Sequence, residues 1–188
     1  MLEKEQKLLE ILKSAFQVEG KVIRNRRVEI WDHKEMVPAI LLMVKTQLGY
    51  KHLNHITCID WLEEGKFQLV YTVFSHTDKL TLFVKTKIDR DPAIMPNIDD
   101  IWDQANTYER ELREMYGIEF PGLVGDQEFI LEDWDEMPPM RRDFKTDVYA
   151  EKTFFAQPGR EDAQDVRETI TKRSGEEIPE FAKKYSRD

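Results

Sequence analysis

The chain has 188 residues, of which 40% are hydrophobic, enough for one domain of ordinary size with its own core plus an appendage. Charged residues make up 35%, against roughly 25% in typical soluble domains, which is compatible with a thermophilic source. The net charge of -9 disfavours nucleic-acid binding, because phosphate contacts need a basic face. Residues 1–27 nevertheless carry seven basic and four acidic side chains, whereas residues 89–143 carry five basic and sixteen acidic ones.

The first half of the chain shows two helical patterns around a strand pattern. Residues 2–17 alternate apolar and charged positions at the helical period. Residues 21–32 predict a strand or a short hairpin, with Asn25-Arg26 as its turn. A second helix opens at Val37-Pro38, where proline suits the first helical turn, and ends at Gly49.

Three strands follow, and short turns join them as antiparallel hairpins. We predict them at residues 53–62, 67–75 and 80–88, with the second inside the sheet because both of its faces are partly apolar. A last helix is predicted over residues 98–116, with Asn97 as its N-cap and Gly117 as its stop.

This order of elements predicts an α+β fold with a mainly antiparallel sheet, flanking helices and an extended C-terminal tail. We place the domain at residues 1–144. Residues 145–188 are polar with scattered aromatics, and we predict an extended or partly helical tail that gains order on another protein.

Several kinds of chemistry lack their usual residues. The single cysteine, Cys58, excludes an intrachain disulfide, a cysteine-ligated iron–sulfur cluster and a cysteine-rich zinc site in this chain, and predicts a small buried residue in a reducing compartment. His52 and His55 fall where a loop leads into a predicted strand, and positions three apart in a strand point to opposite faces, so a metal site on this pair is disfavoured. No glycine-rich phosphate loop, membrane span or signal peptide is recognisable, so membrane association would come through partners.

Two charged and aromatic blocks stand out near the end of the predicted domain. Their members, which we predict to form a partner interface, are Tyr108, Glu109, Arg110, Glu111, Met115, Tyr116 and Gly117 in the first block, and Pro139, Arg141, Arg142, Asp143 and Phe144 in the second. Two alternatives stay open from these residues: a recognition surface, or an internal clamp that ties a loop to a helix. Pro138-Pro139 predicts extended backbone before the second block.

The same blocks leave room for an acid–base enzyme that uses Glu109, Glu111 or Asp143. On one helix, however, Glu109 and Glu111 point about 200° apart, so both cannot act on one substrate atom. We predict that Tyr108, Leu112 and Met115 form the buried face, with Glu109 and Arg110 beside it, and that Arg110 pairs with Glu114. A stand-alone soluble enzyme and a regulatory binding module remain the alternatives to a docking subunit.

With these blocks the sequence resembles the thirty-kilodalton subunit family of respiratory complex I and of energy-converting membrane-bound NiFe hydrogenases. The likeness extends to Pro96, Ile101-Trp102, Ala105-Asn106, and Ile56 to Asp60. Thr107 stands where the family has tryptophan, and residues 123–128 replace its His-Pro-Asp-Leu-Arg-Arg segment, which favours the hydrogenase-like or archaeal branch.

The resemblance implies a cofactor-free, non-catalytic subunit in the peripheral arm of an ion-translocating electron-transfer complex of the respiratory chain. It would dock on a hydrogenase-like large subunit, beside subunits that hold iron–sulfur clusters and in some complexes NiFe. Its expected place is the cytoplasmic side of the cell membrane, and hydrogenase or sulfur-reducing types are favoured over quinone-reducing ones.

Overall fold

The structure, a computed structural model, describes residues 3–125 and 128–153. Backbone contacts divide the chain into two units, Met1–Phe144 and Lys145–Asp188. In the second unit the structure describes one helix, Thr146–Thr153, which is α4. The predicted partner-binding role of this unit stays a prediction.

The described residues of the first unit form three α-helices and five strands. The helices are α1 (Glu3–Phe16), α2 (Val37–Thr46) and α3 (Ala105–Tyr116). The strands are β1 (Glu19–Arg24), β2 (Arg27–Trp31), β3 (His52–Trp61), β4 (Lys66–Ser75) and β5 (Leu80–Asp89), with a short 3-10 turn at Leu62–Glu64.

The strands form one sheet in the order β1-β2-β5-β4-β3. All neighbouring pairs are antiparallel except β2 and β5, which run parallel with Ile30 opposite Val84. The predicted α+β class and mainly antiparallel sheet are therefore confirmed. The predicted hairpin is also present, since β1 and β2 meet at the turn Asn25-Arg26.

The core lies on one face of this sheet. Leu82 and Val84 of β5 are buried there, and they alternate with half-exposed Phe83 and Lys85 on the other face. Residues of α1, α2 and α3 belong to the same apolar cluster as the inward side chains of β2, β4 and β5, with Leu12, Leu41 and Leu112 as examples. The alternation of β5 predicts this one-sided burial directly.

The predicted helix over residues 98–116 is too long, because α3 begins only at Ala105. In the segment before α3, a polar side chain competes with the helical pattern for hydrogen bonds to the backbone. The Asn97 carboxamide oxygen accepts from the N–H of Asp99 at 2.7 Å, which makes a local turn rather than a helix cap. The end is as predicted: Gly117 adopts the left-handed φ of 72°, and its N–H donates to the Arg113 carbonyl.

Gly20 of β1 packs tightly against both β2 and α1. A Cβ added there would lie 2.7 Å from the Glu29 carbonyl oxygen, 2.8 Å from Ile30 Cγ2 and 2.9 Å from Leu9 Cδ1. These distances are shorter than carbon contacts allow, so any side chain forces α1 and the hairpin apart.

We expect Gly20→Ala to lower the free energy of unfolding by about 1–3 kcal/mol, because the extra methyl overpacks this contact. Urea unfolding of the full chain measures the change. Ser14→Ala, at an exposed position of α1, is the control and should stay within about 0.5 kcal/mol of the parent. Equal stability of the two variants would contradict the close packing.

Candidate partner-binding surface

The inner side of α3 is fastened to β3, the edge strand of the sheet. The Tyr108 hydroxyl donates to the Asn54 carbonyl at 2.7 Å, and the Tyr116 hydroxyl donates to the Cys58 carbonyl at 3.3 Å. Just before the helix, the Trp102 indole N–H donates to the Lys51 carbonyl at 2.9 Å. These bonds satisfy carbonyls of an edge strand, which reduces its tendency to pair with another chain.

Glu109 lies inside the protein. Its side chain is 0% exposed, and Oε1 accepts from the N–H of Ile98 at 2.9 Å. Within the described residues Oε2 has no hydrogen-bond partner. The pKa of this carboxyl is raised to about 8. Burial is the main cause, the hydrogen bond from Ile98 opposes it, and the negative charge of the nearby Asp99 adds to it. Glu109 is therefore mostly a neutral acid at pH 7.

This position corrects the prediction made from the sequence, which put Glu109 beside the buried face and among the partner contacts. The buried residues of α3 are Ala105, Glu109 and Leu112, which share the four- and three-residue spacing of one helical face. That spacing was the available signal. The charge of Glu109 concealed it, because charged residues are rarely fully buried.

The opposite flank of α3 holds the loop that follows it. Arg113 donates to the Gly125 carbonyl at 2.8 Å, and the Arg110 guanidinium lies over the Phe129 ring at 5.2 Å. The Glu114 carboxylate accepts from the backbone N–H groups of Ile130 and Leu131 at 2.8 and 2.6 Å. The Glu114 carboxylate is thus a hydrogen-bond acceptor for the loop backbone, whereas the sequence predicted a pair with Arg110.

The second block folds back onto the C-terminal end of α3. Its chain turns at Pro138–Arg141, where the Arg141 N–H donates to the Pro138 carbonyl at 3.2 Å, so the extended backbone predicted at Pro138-Pro139 does not continue into the second block. Proline at the second position of a turn fits its fixed φ, which explains the difference. The Met140 N–H donates to the Met115 carbonyl at 3.0 Å, and Arg141 Nε donates to the Tyr116 carbonyl at 2.7 Å.

Gly117 allows this approach. A Cβ at Gly117 would lie 3.0 Å from a terminal nitrogen of Arg141 and 3.1 Å from Pro138 Cγ. The Arg141 guanidinium also lies 5.4 Å from the centre of the Phe67 ring, a cation–π arrangement at the end of the core. Arg141 therefore braces the loop against the helix end.

A charged cluster fixes the rest of the second block to the sheet. Arg90, which follows β5, contacts Asp60 at the end of β3 with Nε 2.9 Å from Oδ1, and its terminal nitrogen donates to Asp143 at 2.7 Å. The Asp60 carboxylate also accepts from the N–H of Arg142 at 2.9 Å. We call Asp60, Arg90, Arg141, Arg142 and Asp143 the clamp.

Burial differs sharply across the clamp. The Asp60 side chain is 2% exposed and that of Arg90 13%, whereas Arg142 reaches out to pair with the exposed Glu63 at 2.7 Å. The hydrogen bond from Arg90 lowers the pKa of Asp143, and the bonds to Asp143 and Asp60 raise the pKa of Arg90. Of the two alternatives left open by the sequence, the internal clamp is present in the structure.

With the clamp formed, few residues of the two blocks remain fully outward. Within the described residues the exposed Glu111 has no hydrogen-bond or ion-pair partner. Pro139, Tyr116 and Phe144 are half-buried, and Phe144 packs on Trp134 with ring centres 5.7 Å apart. Met140, which was not among the predicted interface residues, is the exposed apolar side chain of residues 139–144 at 55%.

The described residues contain neither a cluster of metal ligands nor a helix that could span a membrane. In residues 3–125 and 128–153 no group of three or more histidine, cysteine, aspartate or glutamate side chains is placed to hold a metal ion. Cys58 is half-buried, and burial raises its pKa to about 12, so the thiol stays protonated. No helix in this part of the chain is long and apolar enough to cross a membrane.

Residues 30–150 match the family described as the 30 Kd subunit of the respiratory-chain NADH dehydrogenase. The chain belongs to this family. The corresponding NADH-quinone oxidoreductase subunit from Moorella thermoacetica is 28% identical over 107 residues, which cover 57% of this chain and 72% of that one. A subunit of the F420H2 dehydrogenase from Methanosarcina mazei is 25% identical over 124 residues, covering 63% of this chain and 76% of the relative.

Two solved structures share the fold of this family member. A chain of the membrane-bound sulfane sulfur reductase, an archaeal respiratory membrane complex, superposes with a TM-score of 0.74 and 31% identity. The match covers 83% of this chain and 97% of that one. A trypsin-resistant fragment of Nqo5 matches with a TM-score of 0.56 and 21% identity over 64% of this chain and 98% of the fragment, which indicates the fold alone.

Glu109 makes the stability of this family member depend on pH. Its folded pKa of about 8 lies above the ordinary value of 4.5, so the folded state binds the proton more tightly than the unfolded one. The free energy of unfolding should therefore fall as the pH rises from about 5 to 9, by on the order of 3 kcal/mol from this group. Glu109→Gln should flatten the curve, as measured by urea unfolding across this range.

Glu111→Gln is the matched control, because Glu111 is an exposed carboxylate two residues along the same helix. Its curve should follow that of the parent chain. If Glu109→Gln retained the parent's pH dependence, the buried neutral acid would be ruled out.

The clamp predicts a second stability difference. Asp60→Asn removes the charge that faces the largely buried Arg90, so we expect a loss of about 3 kcal/mol and faster hydrogen exchange at residues 140–144. Glu63→Gln, which breaks the exposed pair with Arg142, should cost less than about 1 kcal/mol. Similar effects of the two variants would contradict the central position of Asp60.

Proposed function

We propose that this chain is a structural and assembly subunit in the peripheral arm of a membrane-bound oxidoreductase related to complex I. It binds the hydrogenase-like large subunit of that complex and neighbouring iron–sulfur subunits, and it holds no cofactor of its own. The family membership and the match to a chain of an archaeal respiratory membrane complex support this proposal.

The exposed apolar residues beside α3 are the observation that carries the docking role. Val124, Ile130 and Met140 are 74%, 58% and 55% exposed. Each sits on a backbone that α3 holds: Asn106 donates to the Val124 carbonyl, Glu114 accepts from Ile130, and the Met115 carbonyl accepts from Met140. A fastened loop that displays apolar side chains along a helix is suited to a partner surface.

Glu111 supplies the charge of this surface. In the described residues it has no partner, and it projects from the same helix whose neighbours hold the apolar side chains. A basic side chain of the large subunit could pair with it at the edge of the interface and set the orientation of docking. We define the docking surface as Glu111, Val124, Ile130 and Met140.

For the parent complex we propose the sulfur-reducing or hydrogenase type, on the cytoplasmic side of the membrane and attached to it through partners. The match that covers 97% of the sulfane sulfur reductase chain supports this choice. Relatives named for NADH and for F420H2 differ in electron donor, which fits a subunit whose partners carry the redox chemistry.

An acid–base enzyme centred on Glu109 is disfavoured by the same structure. The raised pKa suits a general acid, yet the side chain is 0% exposed and one oxygen is held by the N–H of Ile98. A substrate could reach this carboxyl only if the elements that bury it moved apart.

The docking surface can be tested in the assembled complex. We expect Glu111→Arg combined with Met140→Glu to reduce co-purification of the large subunit at least tenfold, because the change reverses the free charge and charges the apolar contact. Quantitative mass spectrometry of the purified complex measures the ratio of subunits. The variant chain alone should unfold at the same urea concentration as the parent, since both side chains are exposed.

The matched control is Glu10→Arg with Leu42→Glu, which makes the same two changes at exposed positions of α1 and α2. It should assemble normally. Normal assembly of the Glu111 and Met140 variant would contradict the proposed docking surface. Catalytic turnover of a substrate by the isolated chain would contradict the proposed structural role.

A further inference from the structure

A row of side chains crosses all five strands at one end of the sheet, on the face opposite the core. The strand register places Arg24 beside Arg27, Arg27 beside Thr81, Thr81 beside Phe74, and Phe74 beside His52. Neighbouring strands are about 4.8 Å apart, so the row is roughly 19 Å long. We call it the basic–aromatic row, because arginines stand at one end and aromatic rings at the other.

At the arginine end, the basic side chains form no ion pair with another described residue. A surface cavity of about 550 Å³ lies there, lined by arginine, lysine and histidine side chains but by no carboxylate. In the part of the chain that the structure describes, the side chains of Arg24, Arg26, Arg27 and Lys79 have no ion-pair partner. Four unpaired cations around one cavity are unexpected on a chain whose net charge is -9.

The hairpin that holds these arginines is fixed from α1. Arg26 adopts a left-handed φ of 63°, which glycine or asparagine adopts more easily. Its N–H donates to the carboxylate of Glu5 at 2.7 Å, and Glu5 is itself buried. The hairpin therefore presents its guanidinium groups from a held backbone, which lowers the cost of ordering them around a ligand.

The other end of the row offers rings. His76 packs edge-on against Phe74 with ring centres 5.0 Å apart, and the His52 ring lies 5.6 Å from that of His76. Phe74 is half-exposed on a strand whose other side chains are mostly buried. This end suits an apolar side chain of a ligand rather than a second anionic group.

We propose that the basic–aromatic row binds an extended acidic segment of another protein, with carboxylates on the arginines and an apolar side chain against Phe74 and His76. An extended peptide advances about 3.3 Å per residue, so the row accommodates about six residues. A single phosphate would occupy one end only. Guanidinium groups bind carboxylates through paired hydrogen bonds, which suits Arg24 and Arg27.

This site shares no residue with the docking surface defined above, and it lies far from the clamp. The register places His52 opposite Phe74, and Asp60 of the clamp opposite Phe67, seven residues earlier on β4. The row and the clamp are therefore roughly 23 Å apart along the strands. Binding at the row goes beyond the proposed function and would remain even if docking occurred elsewhere.

The isolated full chain tests the proposal with a labelled hexapeptide, Glu-Glu-Glu-Leu-Phe-Leu, in fluorescence anisotropy at low salt. We expect binding that Arg24→Glu with Arg27→Glu weakens at least tenfold. The charge-matched control, Lys13→Glu with Lys145→Glu, should stay within twofold of the parent. Circular dichroism checks folding, and Arg24→Gln with Arg27→Gln decides the matter if the charge reversal unfolds the chain.

Three further probes distinguish an acidic protein segment from free phosphate and from an anionic lipid surface. Lys-Lys-Lys-Leu-Phe-Leu should not bind, and Phe74→Ala should weaken the acidic peptide severalfold without affecting the affinity of inorganic phosphate. Equal binding of the peptide by the arginine variants and the control would overturn the proposal. So would binding of phosphate, or of phosphatidylglycerol vesicles, through these arginines without binding of the peptide.

Discussion

The buried carboxylate of Asp60 is the contact on which the position of residues 138–144 depends. Asp60 lies next to the last residue of the edge strand β3. Its carboxylate forms an ion pair with Arg90 at 2.9 Å and accepts from the N–H of Arg142 at 2.9 Å. Because Asp60 is 2% exposed, its charge has little water around it and needs these partners. The same contacts bring residues 138–144, which lack regular structure, to a defined place beside the sheet.

Together with the contacts of α3, those of Asp60 join the two sequence blocks into one internal assembly. Tyr108 and Tyr116 bind carbonyls of β3, Glu109 binds the chain before the helix, and Arg141 binds the carbonyl of Tyr116. The charged and aromatic side chains that make the blocks distinctive in the sequence thus form hydrogen bonds within their own chain. What they achieve is a rigid support, and the outward positions beside them, Glu111 and Met140, are free to meet a partner.

The sequence predicts local features of this fold better than its long-range ones. Apolar residues alternate along β5, and Gly117 follows the last apolar position of α3, so both features could be predicted from neighbouring residues. The parallel pairing of β2 with β5 could not, because α2, β3 and β4 lie between them in the chain. The family was recognisable because its motif is a run of residues, which does not require the fold to be known.

In the candidate site, too, the sequence predicts local features better than contacts between distant residues. Asp60 and Arg90 are thirty residues apart, and no local pattern marks them as partners. Glu109 did carry a helical spacing with Ala105 and Leu112, but its charge favoured an exposed interpretation. A carboxyl becomes compatible with a core only when it can remain protonated or find a donor. Glu109 does both, with a raised pKa and the N–H of Ile98, and neither could be known before the chain was folded.

The distribution of charge gives the two proposed contact surfaces a common logic. Arg24, Arg26 and Arg27 of the basic first 27 positions lie at the hairpin end of the sheet, while α3 belongs to the acidic stretch of residues 89–143. The clamp lies roughly 23 Å from the row along the strands. A rigid sheet that carries one proposed contact surface at the row and another beside α3 can hold two partners at a fixed distance from each other. That property suits the proposed scaffold role, and it would explain why four cations have no ion-pair partner among the described residues of an acidic protein.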